Sequence, residues 1–196
     1  MALLNPGPVL RPGRRWRAAC CLALGLAFGA GPALPAPPSR EYQVKAVFLF
    51  NFAQFVDWPP AAFPSAGSPL VIGVLGEDPF GAALDDAVRG ETVASRPLAV
   101  RRFRRPADIA ECHILFVSRP ASARLGEVLA ALDGRAVLTV GEADDFAARG
   151  GMIHFVTDKS RTRLRINLDA ARNAGLTLSS KLLRPAEIVA TARNAP

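Results

Sequence analysis

Cysteine is scarce: the 196 residues hold three. Two of them, Cys20 and Cys21, stand in an N-terminal segment whose composition differs from everything after it. Cys112 is then alone in the remainder, which excludes an internal disulfide and leaves the domain to be held together by packing. Lying between Glu111 and the apolar stretch "HILFVS", it reads as a buried apolar residue and not as a reactive thiol. Histidine is scarcer still, with only His113 and His154, each inside an apolar strand-like run. The one ligand-type neighbour at useful spacing is Cys112, whose side chain points to the opposite face of the strand. A metal site needs three or four convergent ligands, so no metal and no cofactor is expected. Long apolar runs are missing too: Ala18 to Phe28 covers eleven residues, and a membrane-spanning helix needs roughly 20.

That short run has a recognisable setting. Arg11, Arg14, Arg15 and Arg17 precede it, and the small-residue and proline stretch "GAGPALPAPP" follows. Basic, apolar and small-residue regions in that order are the pattern of a secretory signal peptide. Gly31-Pro32-Ala33 places cleavage near Ala33, so residues 1–33 are expected to be a leader, 34–40 a flexible Pro-rich N-terminus and 41–192 the domain. Cys20 and Cys21 come before the end of the apolar run, with Arg17 where a lipoprotein signal carries leucine, so lipidation is not expected. Arg14-Arg15 faintly resembles a twin-arginine signal, but the ordinary secretory reading is preferred.

Strong positive charge is also absent once the leader is set aside. The chain has 24 Lys and Arg against 17 Asp and Glu, and four of those arginines lie in the leader with no acid beside them. The remainder carries 20 basic and 17 acidic residues, a net charge of +3. The case for a nucleic-acid partner therefore falls away. About 160 residues remain, which suits one domain with a sizeable core.

The pattern along those residues alternates. Helix periodicity covers about 40–57, ended by Trp58-Pro59. A strand "LVIGVLG" (70–76) follows, then a helix capped by Asp78 with Pro79 at its first position. "RPLAVRRF" (96–103) and "HILFVS" (113–118) read as strands. Next come a helix at about 122–132, the strand "AVLTVG" (136–141) and a helix at about 142–149 closed by Gly150-Gly151. Short apolar strands alternating with helices predict an α/β fold: a single layered domain whose mostly parallel central sheet is covered by helices on both faces. "MIHFVT" and "RTRLRINL" are separated by only "DKS", too short for a crossover, so the sheet is expected to end in an antiparallel hairpin. Helices at about 169–175 and 185–192 complete the reading.

Few constellations carry chemistry. Projected at 100° per residue, the first helix gathers Gln43, Asn51, Gln54 and Asp57 on one side and Val44, Phe48, Leu49, Phe52, Phe55 and Val56 on the other. Lys45 falls in the middle of the apolar arc. It either snorkels past the first turn to solvent or faces a carboxylate or an anionic ligand at the edge of a cleft. "GEDPFG" (76–81) sits where a strand enters a helix, but matches no phosphate-binding glycine pattern, and Glu77 and Asp78 would repel phosphate. Ser179-Ser180-Lys181 lacks the S-x-x-K spacing of a nucleophile pair, and its hydroxyls read as hydrogen-bonding groups at a strand end. No catalytic set is apparent, which argues against an enzyme. In the hairpin, Arg161, Arg163, Arg165 and Asn167 alternate with Thr162, Leu164, Ile166 and Leu168. The arginines are either a solvated edge that resists aggregation or a basic strip that docks an acidic partner. Arg101, Arg102, Arg104 and Arg105 form a second basic cluster around Phe103, read as a solvated strand end.

Taken together, "YQVKAVFLFNFAQFVDWP", "GEDPFG", "CHILFVS", "VLTVGEADDFAARGGMIHFV" and "RLRINLDAARNAGLTLSSKLLRPAEIV" resemble, in order from about Glu41 to Val189, the YfiR family of bacterial periplasmic proteins. The resemblance implies a periplasmic, non-enzymatic regulator that binds the periplasmic part of an inner-membrane diguanylate cyclase and represses it. Cyclic di-GMP and biofilm formation would thereby come under its control. It further implies an outer-membrane Pal-like lipoprotein that sequesters the regulator, and a domain that can form a homodimer. By the same resemblance Ile166 lies on the hairpin segment used for repression, with Phe155 nearby; Arg163 and Arg165, from the basic strip read above, join them as expected partner contacts. Arg172 and Arg184 match arginines that hold small anionic or aromatic ligands; Lys45, from its place on the first helix, is the further expected anion contact. The alternative reading of the chain is accordingly a periplasmic module that binds such a small molecule. Members known for two disulfides differ from this chain, where Cys112 has no partner, so redox control by an internal disulfide is not expected here.

Overall fold

The computed structural model describes residues 39–158 and 161–191. The expected leader, the Pro-rich segment up to residue 38, residues 159 and 160, and residues 192–196, which include the expected end of the domain and of the last helix, lie outside the described residues.

Helix α1 (Arg40–Phe55) opens the fold. β1 (Val56–Asp57) leaves it, followed by β2 (Leu70–Leu75), α2 (Ala82–Val88), β3 (Thr92–Val93) and β4 (Arg96–Phe103). Then come β5 (Ile114–Val117), α3 (Leu125–Ala131), β6 (Leu138–Gly141), β7 (Ile153–Asp158) and β8 (Arg161–Ile166). The chain closes through α4 (Leu168–Asn173), β9 (Thr177–Leu178), α5 (Ser180–Leu183) and β10 (Glu187–Ile188). The main sheet runs in the order β10-β8-β7-β6-β5-β2-β4-β3. Its centre, β4-β2-β5-β6-β7, is parallel, and β7-β8 is the antiparallel hairpin expected from the short "DKS" connection. The fold is thus α/β with a mostly parallel central sheet between helices.

Two apolar layers cover that sheet. On one face Ile72, Val74, Ile114, Phe116, Leu138 and Val140 meet residues of α1, α2, α4 and α5. On the other, Leu115 and Val117 meet Leu125 and Val128 of α3, with Phe146 beside them. All six residues of β2 are buried, as a strand covered on both sides requires. Among the described residues no helix is long and apolar enough to cross a membrane.

Four sequence expectations are corrected. The first helix stops at Phe55, because Val56 turns to extended backbone and pairs with Leu178 in a small separate sheet. Asp78 caps a turn and not the helix: its carboxylate accepts from the Phe80 and Gly81 N–H groups at 2.8 and 3.3 Å, and α2 begins at Ala82. No helix forms over 142–149. There the chain makes successive turns, with Asp145 at φ +56°, around the buried ring of Phe146, which packs directly over Gly141 and Gly151. A side chain at either glycine would collide with that ring. The last helix is earlier and shorter than expected: α5 spans Ser180–Leu183, capped by the Ser179 hydroxyl, which accepts the Lys181 N–H at 3.3 Å. Residues Glu187 and Ile188 instead extend the sheet beside β8.

Cys112 is buried and its Sγ donates to the Ile114 carbonyl at 3.0 Å. A Cβ on Gly73 would come within 2.7 Å of that sulfur, so the glycine in β2 makes room for it. Burial pushes the thiol's pKa up to about 12, where little thiolate exists at neutral pH. The native protein should therefore leave Cys112 unlabelled by Ellman's reagent for as long as it stays folded, and react fully in denaturant; fast labelling of the native form would contradict this packing.

Candidate functional site

The carboxyl ends of β5 and β6 open into a cleft of about 400 Å³, lined by Lys45, Arg119, Glu142, Asp144, Asp145, His154, Phe155, Val156, Thr157 and Arg165. In open α/β sheets this edge is where ligand and partner sites gather. Its deepest feature is an ion pair. Lys45 is 2% exposed and Glu142 6%, and the Lys45 ammonium lies 2.5 Å from Glu142 Oε2 and 2.7 Å from Glu41 Oε1. Tyr42 donates its hydroxyl to the other Glu142 oxygen at 2.9 Å, and the ammonium stands 4.8 Å from the Tyr42 ring. The Lys45 contact holds the Glu41 carboxyl below its ordinary range, while burial and the neighbouring Glu142 push the Tyr42 phenol upward.

Of the two readings open for Lys45, the structure takes the one in which it faces a carboxylate. It does not snorkel, and with two acids around it no charge is left over for an anionic ligand. Sequence reasoning did not select Glu142 or Tyr42. Their signal was the unexplained lysine itself, since a lysine on an apolar arc demands an acid from elsewhere in the fold.

The hairpin residues separate into two groups. Phe155 and Ile166 are buried in the core, Phe155 stacking on Phe52 with ring centroids 5.8 Å apart. A partner meeting the folded surface does not reach Ile166, which corrects its expected place among the contacts. Phe155 reaches the surface only where its edge lines the cleft. Arg163 and Arg165 are on the outer side, 3.2 Å from Asp158 and 2.9 Å from Glu187. Asn167, although in register with the arginines, is fully buried: its Oδ1 accepts the Ala170 N–H and its amide donates to the Ala147 carbonyl and Thr191 hydroxyl. Arg172 is exposed and lies 3.6 Å from Asp169, Arg184 is exposed on the turn after α5, and neither lines the cleft that holds Lys45. In the second basic cluster Arg102 bridges Asp78 and Asp85 at 2.6 and 2.5 Å.

Both histidines are buried. The Val71 N–H donates to His113 Nδ1 at 3.0 Å, which makes Nε2 the protonated nitrogen, 3.2 Å from the Ala62 carbonyl. Its ring stacks on Phe63 at 4.4 Å. His154 lies in the cleft wall. Among the described residues no group of three or more His, Cys, Asp and Glu could hold a metal ion.

Two measurements follow from this geometry. Lys45→Met leaves Glu142 buried without its cation, and should cost ~3–5 kcal/mol in urea unfolding. Adding Glu142→Leu should recover a large part of that loss; strict additivity of the two changes would refute the coupling. The second concerns acid. Burial depresses the pKa of both His113 and His154 below the ordinary 6.5. A depressed histidine binds protons more readily in the unfolded chain. Stability is then full above pH 6.5 and is lost as the pH falls from there toward the folded values. His113→Gln, whose amide can keep both hydrogen bonds, should flatten the profile between pH 7.5 and 5.5 relative to wild type, read as urea midpoints.

No curated protein matches the chain. The profile of the YfiR/HmsC-like family matches residues 42–187, a span that starts at the tyrosine of the buried network and runs to the first residue of the strand beside the hairpin. It takes in the sheet, the cleft and the hairpin as one unit, and so the chain belongs to the YfiR/HmsC-like family.

Proposed function

We propose that the protein is a periplasmic regulator that binds and represses an inner-membrane diguanylate cyclase, and thereby sets cyclic di-GMP and biofilm formation. The observation that carries this reading is the family match across residues 42–187, because the family is one of regulators. The N-terminal leader pattern is consistent with export to the compartment where such a target presents its periplasmic part. Repression by contact needs only that the protein bind one state of the cyclase more tightly than the other. An outer-membrane Pal-like lipoprotein that competes for the regulator would relieve it.

The hairpin's outer arginines and the adjoining face of α1 are the surface proposed to meet the target. Phe155 and Ile166 support that surface from beneath, so replacing Ile166 by Asp tests folding and not contact. Arg163, well exposed beside Asp158, is the better probe.

Deleting the gene should raise cellular cyclic di-GMP, and expression of the wild-type chain in the same cells should lower it again. Arg163→Glu should fold normally and restore less repression. Cyclic di-GMP that stays level after deletion, both in unstressed cells and under envelope stress, would sink the regulator reading.

A further inference from the structure

Val44 and Val47 stand out on α1, exposed to 41% and 51%. Three positions apart, they lie on one side of the helix, and half-buried Phe48 continues the ridge. Nothing in the packing calls for apolar side chains at 44 and 47, since α1 meets the core through Ala46, Leu49, Phe52 and Ala53. Isolated exposed valines are ordinary, and Val47 faces the α2 side of the helix beside Ala83 and Ala87, but Val44 borders concave ground toward the hairpin. Between α1 and the hairpin runs a groove of about 780 Å³, walled by Arg40, Glu41, Val44 and Phe48 on one side and Thr157, Arg161 and Thr162 on the other.

The charges at the groove do not cancel. Glu41 is taken up by Lys45 at 2.7 Å and by the Thr157 hydroxyl at 2.9 Å. Arg40 and Arg161 have no carboxylate partner among the described residues. The groove therefore offers an apolar floor with two uncompensated guanidinium groups at its rim. Its concavity suits a chain segment better than a flat lipid surface, which would favour a convex apolar face.

We propose that this groove docks a protein segment of the membrane target, one that carries apolar side chains flanked by carboxylates. The proposal rests on the regulator reading above and adds to it the contact surface and the chemistry of the partner. Apolar contacts at Val44 and Phe48 supply the buried centre, and the arginines orient and accelerate docking.

The test is photo-crosslinking in the producing cell, using the full chain with benzoylphenylalanine in place of Val44, and as a control in place of Glu127 on α3 across the sheet. The expected result is an adduct to a membrane protein from position 44 and not from 127. Mass spectrometry should place it on an apolar segment with Asp or Glu within about one helical turn. Changing Arg40 and Arg161 together to Glu should lower the adduct yield about fivefold or more, with the effect shrinking in high salt. An adduct to a second copy of the chain or to lipid, equal adducts from both positions, no adduct, or a yield that ignores the charge reversal overturns the proposal. The regulator reading is separated by a second measurement in the same strains. If wild type lowers cyclic di-GMP and Val44→Glu, with an unchanged melting temperature, lowers it equally, the groove is wrong and the regulator reading survives. If wild type has no effect on cyclic di-GMP, both fall.

Discussion

The buried pair between Lys45 and Glu142 fixes how the rest of the domain is arranged. It joins the first helix to the end of a central strand across 97 positions of sequence, at 2.5 Å. Successive helix side chains differ by about 100°, so turning Lys45 inward settles the direction of every other residue on α1. Ala46, Leu49, Phe52 and Ala53 then face the sheet, and Val44 and Val47 face solvent. The same contact explains the inner and the outer surface of the helix.

Such a pair adds little net stability over an apolar replacement, because both ions lose their hydration. Its effect is on specificity: a rotated or shifted α1 would bury an unpaired ammonium, at a cost of several kcal/mol on the order expected for an isolated buried ion. Glu142 must be held in place for this to work. The turns that follow it close on Phe146, whose ring lies against Gly141 and Gly151, and Arg119 donates to the Glu142 carbonyl at 3.0 Å. A flexible loop here would release the carboxylate to water.

The hairpin follows a simpler rule. A strand alternates its side chains between faces, so Leu164 and Ile166 join the core while Arg163 and Arg165 remain outside. Phe155 lies opposite Leu164 on the neighbouring strand and stacks on Phe52 of α1. The cleft, the groove and the outer arginines thus share one support, made of α1 and the β7-β8 pair.

Sequence by itself determined what depends on local pattern. The parallel strands were legible because a strand buried on both faces is almost wholly apolar, and β4 was read over Arg96–Phe103, the bounds it has in the fold. The hairpin was legible because three residues cannot span a crossover. Lys45 was legible as an anomaly, although not its partner. Tertiary structure alone decided what depends on distant contacts. Glu142 met Lys45 only once the sheet brought residue 142 beside α1. The 142–149 stretch looked helical because Ala, Glu and Asp suit a helix locally, and it lost that form because burying the Phe146 ring between two glycines gains more than one short helix supplies. Asn167 was read from alternation as sharing a face with the arginines, yet it is buried, since its amide bonds to residues 147 and 191, which no local pattern links to it.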